Sequence, residues 1–132
     1  MRLILLFLFV SLTASATDKY PKNADIDVQH YKFDITLSDE ADEIKCSATI
    51  DILLKKKDIR QVRLDLINAD KGKGMTVASV MQNGKKLSYT HLKNELIVTL
   101  PNPSQAGDYV QFTVTYSGVP ATGLHIKPNK YN

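Results

Sequence analysis

The chain is poor in the residue types that build disulfide frameworks, metal centres and nucleic-acid surfaces. Its 132 residues include one cysteine and three histidines, and the formal net charge at pH 7 is +3. Cys46 stands alone, so an intrachain disulfide is impossible. So weak a basic balance predicts no nucleic-acid partner.

Catalytic motifs are missing as well. His30, His91 and His125 have no second ligand at a spacing that suits zinc, and the sequence contains no H-E-x-x-H. There is no G-x-S-x-G elbow for a nucleophilic serine. We therefore expect no catalytic, cofactor-binding or metal-binding residue in this chain. Whether the protein belongs to an enzyme is left open by its own motifs.

The N-terminal residues are typical of a secretory signal peptide. Met1-Arg2 is a positive start, residues 3–12 are almost wholly apolar, and Ala14-Ser15-Ala16 is an A-x-A cleavage signature. The apolar run is short for a membrane span, although an uncleaved anchor or a buried helix stays an alternative. We expect cleavage before Thr17, an exported chain in the periplasm or outside the cell, and no membrane contact after cleavage.

The remaining length suits one domain, and we divide it by composition. Residues 17–26 form a polar leader, residues 27–118 a β-sandwich domain, and residues 119–132 a tail that leads to a missing remainder. A domain of this size can bury about two thirds of its unfolded surface, enough for one core without covalent links.

Residues Gly107–Gly118 carry the clearest structural pattern. Val110, Phe112, Val114 and Tyr116 alternate with polar residues, which predicts a strand with one buried face. The same alternation predicts strands at 28–38, 44–54, 61–66, 75–82, 85–89 and 95–100, whereas no segment has a helical apolar stripe of useful length. Asn83-Gly84 predicts a tight hairpin turn.

The fold prediction is therefore all-β, an antiparallel β-sandwich of about seven strands. Tyr31, Phe33, Ile35 and Leu37 are expected to share one face of the first strand. Cys46 is expected to lie inward with Ile44, Ala48, Ile50 and Ile52, as a buried structural residue; an intermolecular disulfide or a reactive thiol is the alternative. We also predict that Val110, Phe112, Val114 and Tyr116 meet Ile44, Cys46, Ala48 and Ile50 across the core.

Three connecting segments admit a functional interpretation, which we judge weaker than a structural one. The acidic run Asp39–Glu43 lacks the spacing of a calcium loop and is expected to be a solvated turn. Lys55, Lys56 and Lys57 could touch an anionic surface, but lysines also keep loops soluble. Gly72-Lys73-Gly74 matches no phosphate-binding fingerprint, so residues 68–74 are expected to form a simple loop.

The order of these segments resembles a known family. Asp27-Val-Gln-His-Tyr31 is followed by a long strand, then by Val62-Arg-Leu-Asp-Leu66, Val77–Gly84, Leu96–Leu100, Val114–Gly118 and Gly123-Leu124. Together they resemble the start of the N-terminal domain in zinc aminopeptidases of the aminopeptidase N and leukotriene hydrolase family. The tail 123–131 is most similar to the bacterial secreted branch.

The resemblance implies a curved, saddle-like β sheet packed on a thermolysin-like catalytic domain. It also implies that the zinc, the H-E-x-x-H helix and the substrate loop of that family lie in a part of the parent chain that is absent here. No catalytic or binding residue of the family falls on a position of this sequence. The implied partner is the peptidase catalytic domain of the parent chain.

Two functional hypotheses follow. The leading one is a non-catalytic N-terminal β domain that packs on an absent catalytic domain and limits access to its cleft. The alternative is a self-standing secreted β-sandwich module that binds a protein or a glycan, since sandwich folds host many functions. The first predicts an exposed apolar patch or an unpaired strand edge where the missing part docks, and the second predicts a stable monomer with a fully covered apolar face.

Overall fold

Every regular element that the structure describes is a β-strand. The computed structural model describes residues 23–124 and residue 126. Its eight strands in chain order are β1 Ile26–Thr36, β2 Ile44–Leu54, β3 Gln61–Asp65, β4 Gly74–Gln82, β5 Lys85–Lys86, β6 Tyr89–Leu92, β7 Glu95–Thr99 and β8 Asp108–Val119.

The strands form two antiparallel sheets. The larger sheet has the order β1-β2-β8-β4-β5, and the smaller has the order β3-β7-β6. Buried residues from both sheets form one cluster, so the sheets pack face to face like the layers of a sandwich. The all-β antiparallel prediction is confirmed, with eight strands in place of about seven.

The core lies between the two sheets. From the larger sheet it takes the inward residues of β2, β4 and β8, and from the smaller it takes the inward residues of β3 and β7. The buried members are Ile50, Ile52, Leu54, Val62, Val77, Val80, Leu96, Val98, Leu100, Phe112 and Val114. Most of them are β-branched or aromatic, which suits packing on a pleated surface.

The prediction that β8 and β2 face each other across the core is wrong. They are neighbours in one sheet, with Phe112 opposite Ile50 and Val114 opposite Ala48. Alternation shows which residues of a strand point inward, and two neighbouring strands share that inward face. The layer across the core is the smaller sheet, which contributes the fully buried Val62 and Val98.

A bulge in β1 keeps its apolar residues on one face. Val28 pairs with Ile52 and His30 pairs with Asp51, so Gln29 is an extra residue in the ladder. Without it, Val28 and Tyr31 would point to opposite faces, because side chains alternate. The bulge places Tyr31 opposite Ile50 and Phe33 opposite Ala48, on the inner side of the sheet.

The predicted strand at 85–89 is wrong in its extent. Lys85 and Lys86 pair with β4 in the larger sheet, whereas Tyr89 begins β6 in the smaller one. The sequence signal failed here because the chain changes sheets within a few residues, leaving only a two-residue strand. His91, which was expected between strands, therefore lies within β6.

The sequence predicts one of two hairpin turns but not the other. Asn83 and Gly84 both have positive φ, 48° and 75°, which confirms the predicted turn. Lys93 and Asn94 also have positive φ, 54° and 64°, and connect β6 to β7. A lysine at such a position is a weak turn signal, so the sequence does not predict the second hairpin.

The predicted loops are confirmed as connections. Residues 39–43 are exposed and lie between β1 and β2, and residues 68–73 hold only isolated bridges. In the segment 101–107, Ser104 is buried because its Oγ accepts a hydrogen bond from Ile59 N and donates one to Lys56 O, at 3.0 Å and 2.7 Å. This serine fastens two connections to each other.

Several sequence-based boundaries fall outside the described residues. The predicted signal peptide 1–16, residues 17–22 of the leader, His125 and residues 127–132 of the tail are among them. The domain boundaries therefore stay predictions. Within the described part of the chain, no helix is long and apolar enough to cross a membrane.

Truncation of Phe112 tests the assignment of the core. Phe112 is 1% exposed, so we expect Phe112→Ala to lower the free energy of unfolding by about 3–5 kcal/mol through lost burial and a residual cavity. Urea denaturation measures the change. Tyr109→Ala on the same strand is the control, since Tyr109 is 70% exposed and a surface change costs about 0.5 kcal/mol or less. A loss below about 1 kcal/mol for Phe112→Ala would show that the buried face is misassigned.

Candidate functional site

The histidines and acidic residues that the structure describes do not converge on a metal centre. Among the described residues, no group of three or more His, Cys, Asp or Glu side chains could hold a metal ion. His30 is exposed on β1. His91 donates a hydrogen bond from Nε2 to the carbonyl oxygen of Leu66 at 2.8 Å, which ties β6 to the segment after β3.

Cys46 is buried, as its position in the pattern predicts. It is 3% exposed and lies opposite Tyr116 of β8 in the larger sheet. Burial raises the pKa of Tyr116, and a hydrogen bond to the Cys46 thiol raises it further. A buried thiol beside a neutral phenol has neither the access nor the nearby cation that activates a cysteine.

One cluster of charged side chains forms ion pairs on the surface of the smaller sheet. Arg63 Nη1 lies 2.6 Å from Glu95 Oε1 and 3.3 Å from Asp65 Oδ1, and this cluster lines an open cavity of about 590 Å³. The hydrogen bond to Glu95 raises the pKa of Arg63. This cavity is open to solvent, and exposed ion pairs of the kind that line it contribute little to stability.

The lysine run is partly paired in the same way. Lys55 lies 3.7 Å from Asp27, and Lys56 lies 2.5 Å from Asp25. These contacts join the segment after β2 to the start of β1. The paired lysines therefore have a structural role, and two of the three charges are already matched.

One surface differs from all of these in being apolar. Tyr31, Phe33, Ile35 and Leu37 are 45%, 52%, 51% and 59% exposed. The first three lie in β1 and Leu37 follows it directly. We call these four residues the β1 stripe. Scattered exposed apolar residues are normal, but a contiguous row of large ones marks an interaction surface.

The β1 stripe continues the inner face of the larger sheet beyond the core. Ile26 and Val28, in the first part of β1, pack against the core cluster. Tyr31, Phe33 and Ile35 share their face but do not belong to the cluster or to the residues packed against it. The core cluster thus covers the start of β1 and leaves its second half exposed.

A groove lies beside the stripe at the opening between the sheets. Its volume is about 320 Å³. It is lined by Tyr31, Phe33, Ile50, Leu64, Asp65, Leu66, Leu96, Val114 and Tyr116. Apart from Asp65 and the two tyrosine hydroxyls, these side chains are apolar. The groove therefore suits an apolar partner segment.

Two aromatic residues that line the groove stack on each other. The rings of Tyr31 and Phe33 stack with centroids 5.6 Å apart and an interplanar angle of 7°. Burial raises the pKa of Tyr31, and the negative charge of Asp65 raises it further. A stacked pair held in place presents a preformed surface, which lowers the entropy cost of binding.

The sequence predicts that these four residues share one face of the first strand, but it does not predict their exposure. The structure places Tyr31, Phe33 and Ile35 on one face. Alternation does not tell whether another layer covers that face. Leu64 and Leu96 in the groove come from β3 and β7, and Leu66 follows β3 directly; only the packing of the two sheets brings them to the stripe.

Comparison with known proteins supports the fold. No protein-family model matches the chain, and no curated protein matches it significantly in sequence. Among solved structures, a mutant M1 zinc metallopeptidase from Deinococcus radiodurans bound to a Tyr-Ser-Ala substrate is 23% identical, with a TM-score of 0.64 over 76% of this chain and 22% of that one.

Two related structures give the same result. The M1 zinc metallopeptidase from Deinococcus radiodurans is 24% identical, with a TM-score of 0.62 over 73% of this chain and 21% of that one. A mutant two-domain M1 zinc metallopeptidase bound to L-arginine is 22% identical, with a TM-score of 0.64 over 78% of this chain and 22% of that one. The chain thus has a fold that makes up about a fifth of these larger proteins.

Replacing an aromatic residue of the stripe tests whether this surface is available for binding. We expect Phe33→Ser to reduce the fluorescence of a bound hydrophobic dye, because it removes apolar surface from the open groove. Tyr109→Ser is the matched control, since Tyr109 is exposed on the outer face of the larger sheet. Both variants should unfold within about 1 kcal/mol of the unchanged protein. Equal dye binding by Phe33→Ser and the unchanged chain would contradict the assignment.

Proposed function

We propose that this chain is the non-catalytic N-terminal β domain of an exported zinc aminopeptidase, and that it packs on a catalytic domain through the β1 stripe and its groove. One observation carries the proposal. The chain has the fold of a part that makes up about a fifth of the length of an M1 zinc metallopeptidase, and in this chain a row of large apolar side chains is uncovered.

The physical argument concerns the cost of that exposure. Burial of apolar surface stabilises by about 25 cal/mol per Å², so a row of four large side chains favours a complex in which they are covered. A complex with a catalytic domain bound at this row would gain the free energy of burying it. The stacked Tyr31 and Phe33 rings would need little reordering. Zinc and the reacting groups would be supplied by that domain.

The consequence for activity is indirect. A β layer held beside a peptidase cleft would restrict the size of the substrates that enter it, without contributing a reacting group. The apolar groove between β1 and β3 supports the docking on which this role would depend. The bacterial secreted branch is the proposed source, because of the sequence similarity of the tail 123–131.

The alternative of a self-standing binding module predicts a covered apolar face. The exposure of the β1 stripe favours the docking hypothesis instead.

The coding sequence downstream of Asn132 gives the first test. We expect an open reading frame that encodes H-E-x-x-H within several hundred residues, because the zinc ligands of the proposed parent must lie beyond this chain. The measurement is sequencing of the surrounding gene. A continuous frame that lacks this motif would contradict the proposal.

If that frame is present, docking can be measured directly by titrating the separately expressed catalytic polypeptide with this chain in a calorimeter. Phe33→Ser should weaken the affinity at least tenfold, as expected for truncation of an interface anchor worth more than about 1.4 kcal/mol. Tyr109→Ser should leave it unchanged. Equal loss in both variants, or in neither, would show that docking uses another surface.

Export is proposed on the sequence of residues 1–16 and has its own test. We expect the mature chain recovered from the periplasm or the medium to begin at Thr17, because Ala14-Ser15-Ala16 fits the signal peptidase. Mass spectrometry of the intact protein measures the N-terminus. Replacing Ala14 and Ala16 with bulky residues should block cleavage. Recovery of full-length protein from the cytoplasm alone would contradict export.

A further inference from the structure

The main-chain edge of β1 is a second feature of this strand, separate from its side-chain face. β1 lies at the end of the larger sheet, and its ladder partner within residues 23–124 is β2. Main-chain groups along its other side therefore face away from the sheet. An edge of this kind is a template for another strand unless charges, prolines or bulges block it.

The features that commonly prevent strand pairing at a sheet edge are weak in β1. The bulge at Gln29 lies near the start of β1, and the ladder with β2 is regular from His30 to Thr36. The strand contains no proline. Its one lysine, Lys32, is exposed and lies 3.2 Å from Asp34 on the outer face. The second half of β1 is thus a regular edge with one positive and one negative charge.

A second copy of β1 matches these charges in one antiparallel register. When Phe33 lies opposite the partner's Phe33, Lys32 lies opposite the partner's Asp34, and the symmetric contact repeats on the other side. On the apolar face, Tyr31 then lies opposite the partner's Ile35. Opposite charges and pairs of aromatic with β-branched residues both stabilise neighbouring strands.

Neighbouring registers are unfavourable. Moving the twofold axis by one residue toward the N-terminus places Lys32 opposite the partner's Lys32. Moving it by one residue toward the C-terminus places Asp34 opposite the partner's Asp34. Like charges directly opposite each other destabilise a strand pair. The charge pattern of β1 therefore selects the register centred on Phe33.

We propose that this chain forms a symmetric dimer in which β1 of each copy pairs antiparallel around Phe33, joining the two larger sheets. The twofold axis stands perpendicular to the joined sheet, so both β1 stripes lie on the same side of it. The pairing uses main-chain groups and outer-face charges. It leaves the apolar face open in the isolated chain, so its test does not depend on whether a catalytic domain docks there.

Charge reversal tests the register. Analytical ultracentrifugation of the whole chain, expressed with its own N-terminal segment, should show a dimer that dissociates on dilution. Lys32→Asp and Asp34→Lys should each weaken it about tenfold or more, because symmetry turns two attractive contacts into repulsive ones. Lys45→Asp on the neighbouring strand β2 is the control for net charge, and should leave the dissociation constant within about twofold.

Mixing the two variants separates pairing between chains from effects within one chain. In a one-to-one mixture, each introduced charge faces an opposite charge of the other variant, so dimers should reappear with an affinity near that of the unchanged chain. Neither variant retains its internal contact between positions 32 and 34, so that contact cannot explain the recovery. Recovery also requires both variants to be folded, and unfolding midpoints provide a check.

The outcomes that overturn the proposal are distinct. A monomer at every accessible concentration would contradict the proposed dimer itself. A dimer that both reversals leave unchanged forms through another surface, such as stacking of two apolar faces. A mixture that stays monomeric while both variants are folded contradicts the register centred on Phe33.

Discussion

The structure depends on a mismatch in width between two sheets that share one core. The larger sheet has five strands and the smaller has three. β2 and β8 pair along their whole lengths and lie under the smaller sheet around Ile52 and Phe112, where burial is complete. The open half of β1 lies outside this cover. The same strand ladder that completes the core therefore also creates the exposed apolar surface.

The bulge at Gln29 makes this arrangement possible, because one extra residue lets β1 contribute both to the core and to the stripe. Ile26 and Val28 pack on the core cluster before the bulge, and Tyr31 and Phe33 lie on the same face after it. Core packing and the exposed stripe thus involve different parts of one strand. This separation explains how the domain can keep a firm interior while exposing a row of apolar side chains.

The sequence predicts the strands much better than it predicts their neighbours. Alternation predicted β2, β8 and the buried Cys46, and the residue types of Asn83-Gly84 predicted the turn, because each depends on local chemistry. Alternation has limits, however. It could not show that Phe112 lies beside Ile50 in one sheet, or that the chain changes sheets between Lys86 and Tyr89. It identified Phe33 as apolar and on the same face as Tyr31. Exposure of that face depends on the width of the other sheet, which no local pattern records.

The central claim is that the open half of β1 is a docking surface for a catalytic domain. Hydroxyl-radical footprinting of this chain, alone and with the polypeptide encoded downstream, tests it most directly because the method reports individual side chains. The account predicts that Tyr31, Phe33 and Leu37 lose reactivity in the complex while Tyr109, on the opposite face, keeps it. Loss of reactivity at Tyr109, with Tyr31 and Phe33 unchanged, would contradict the account.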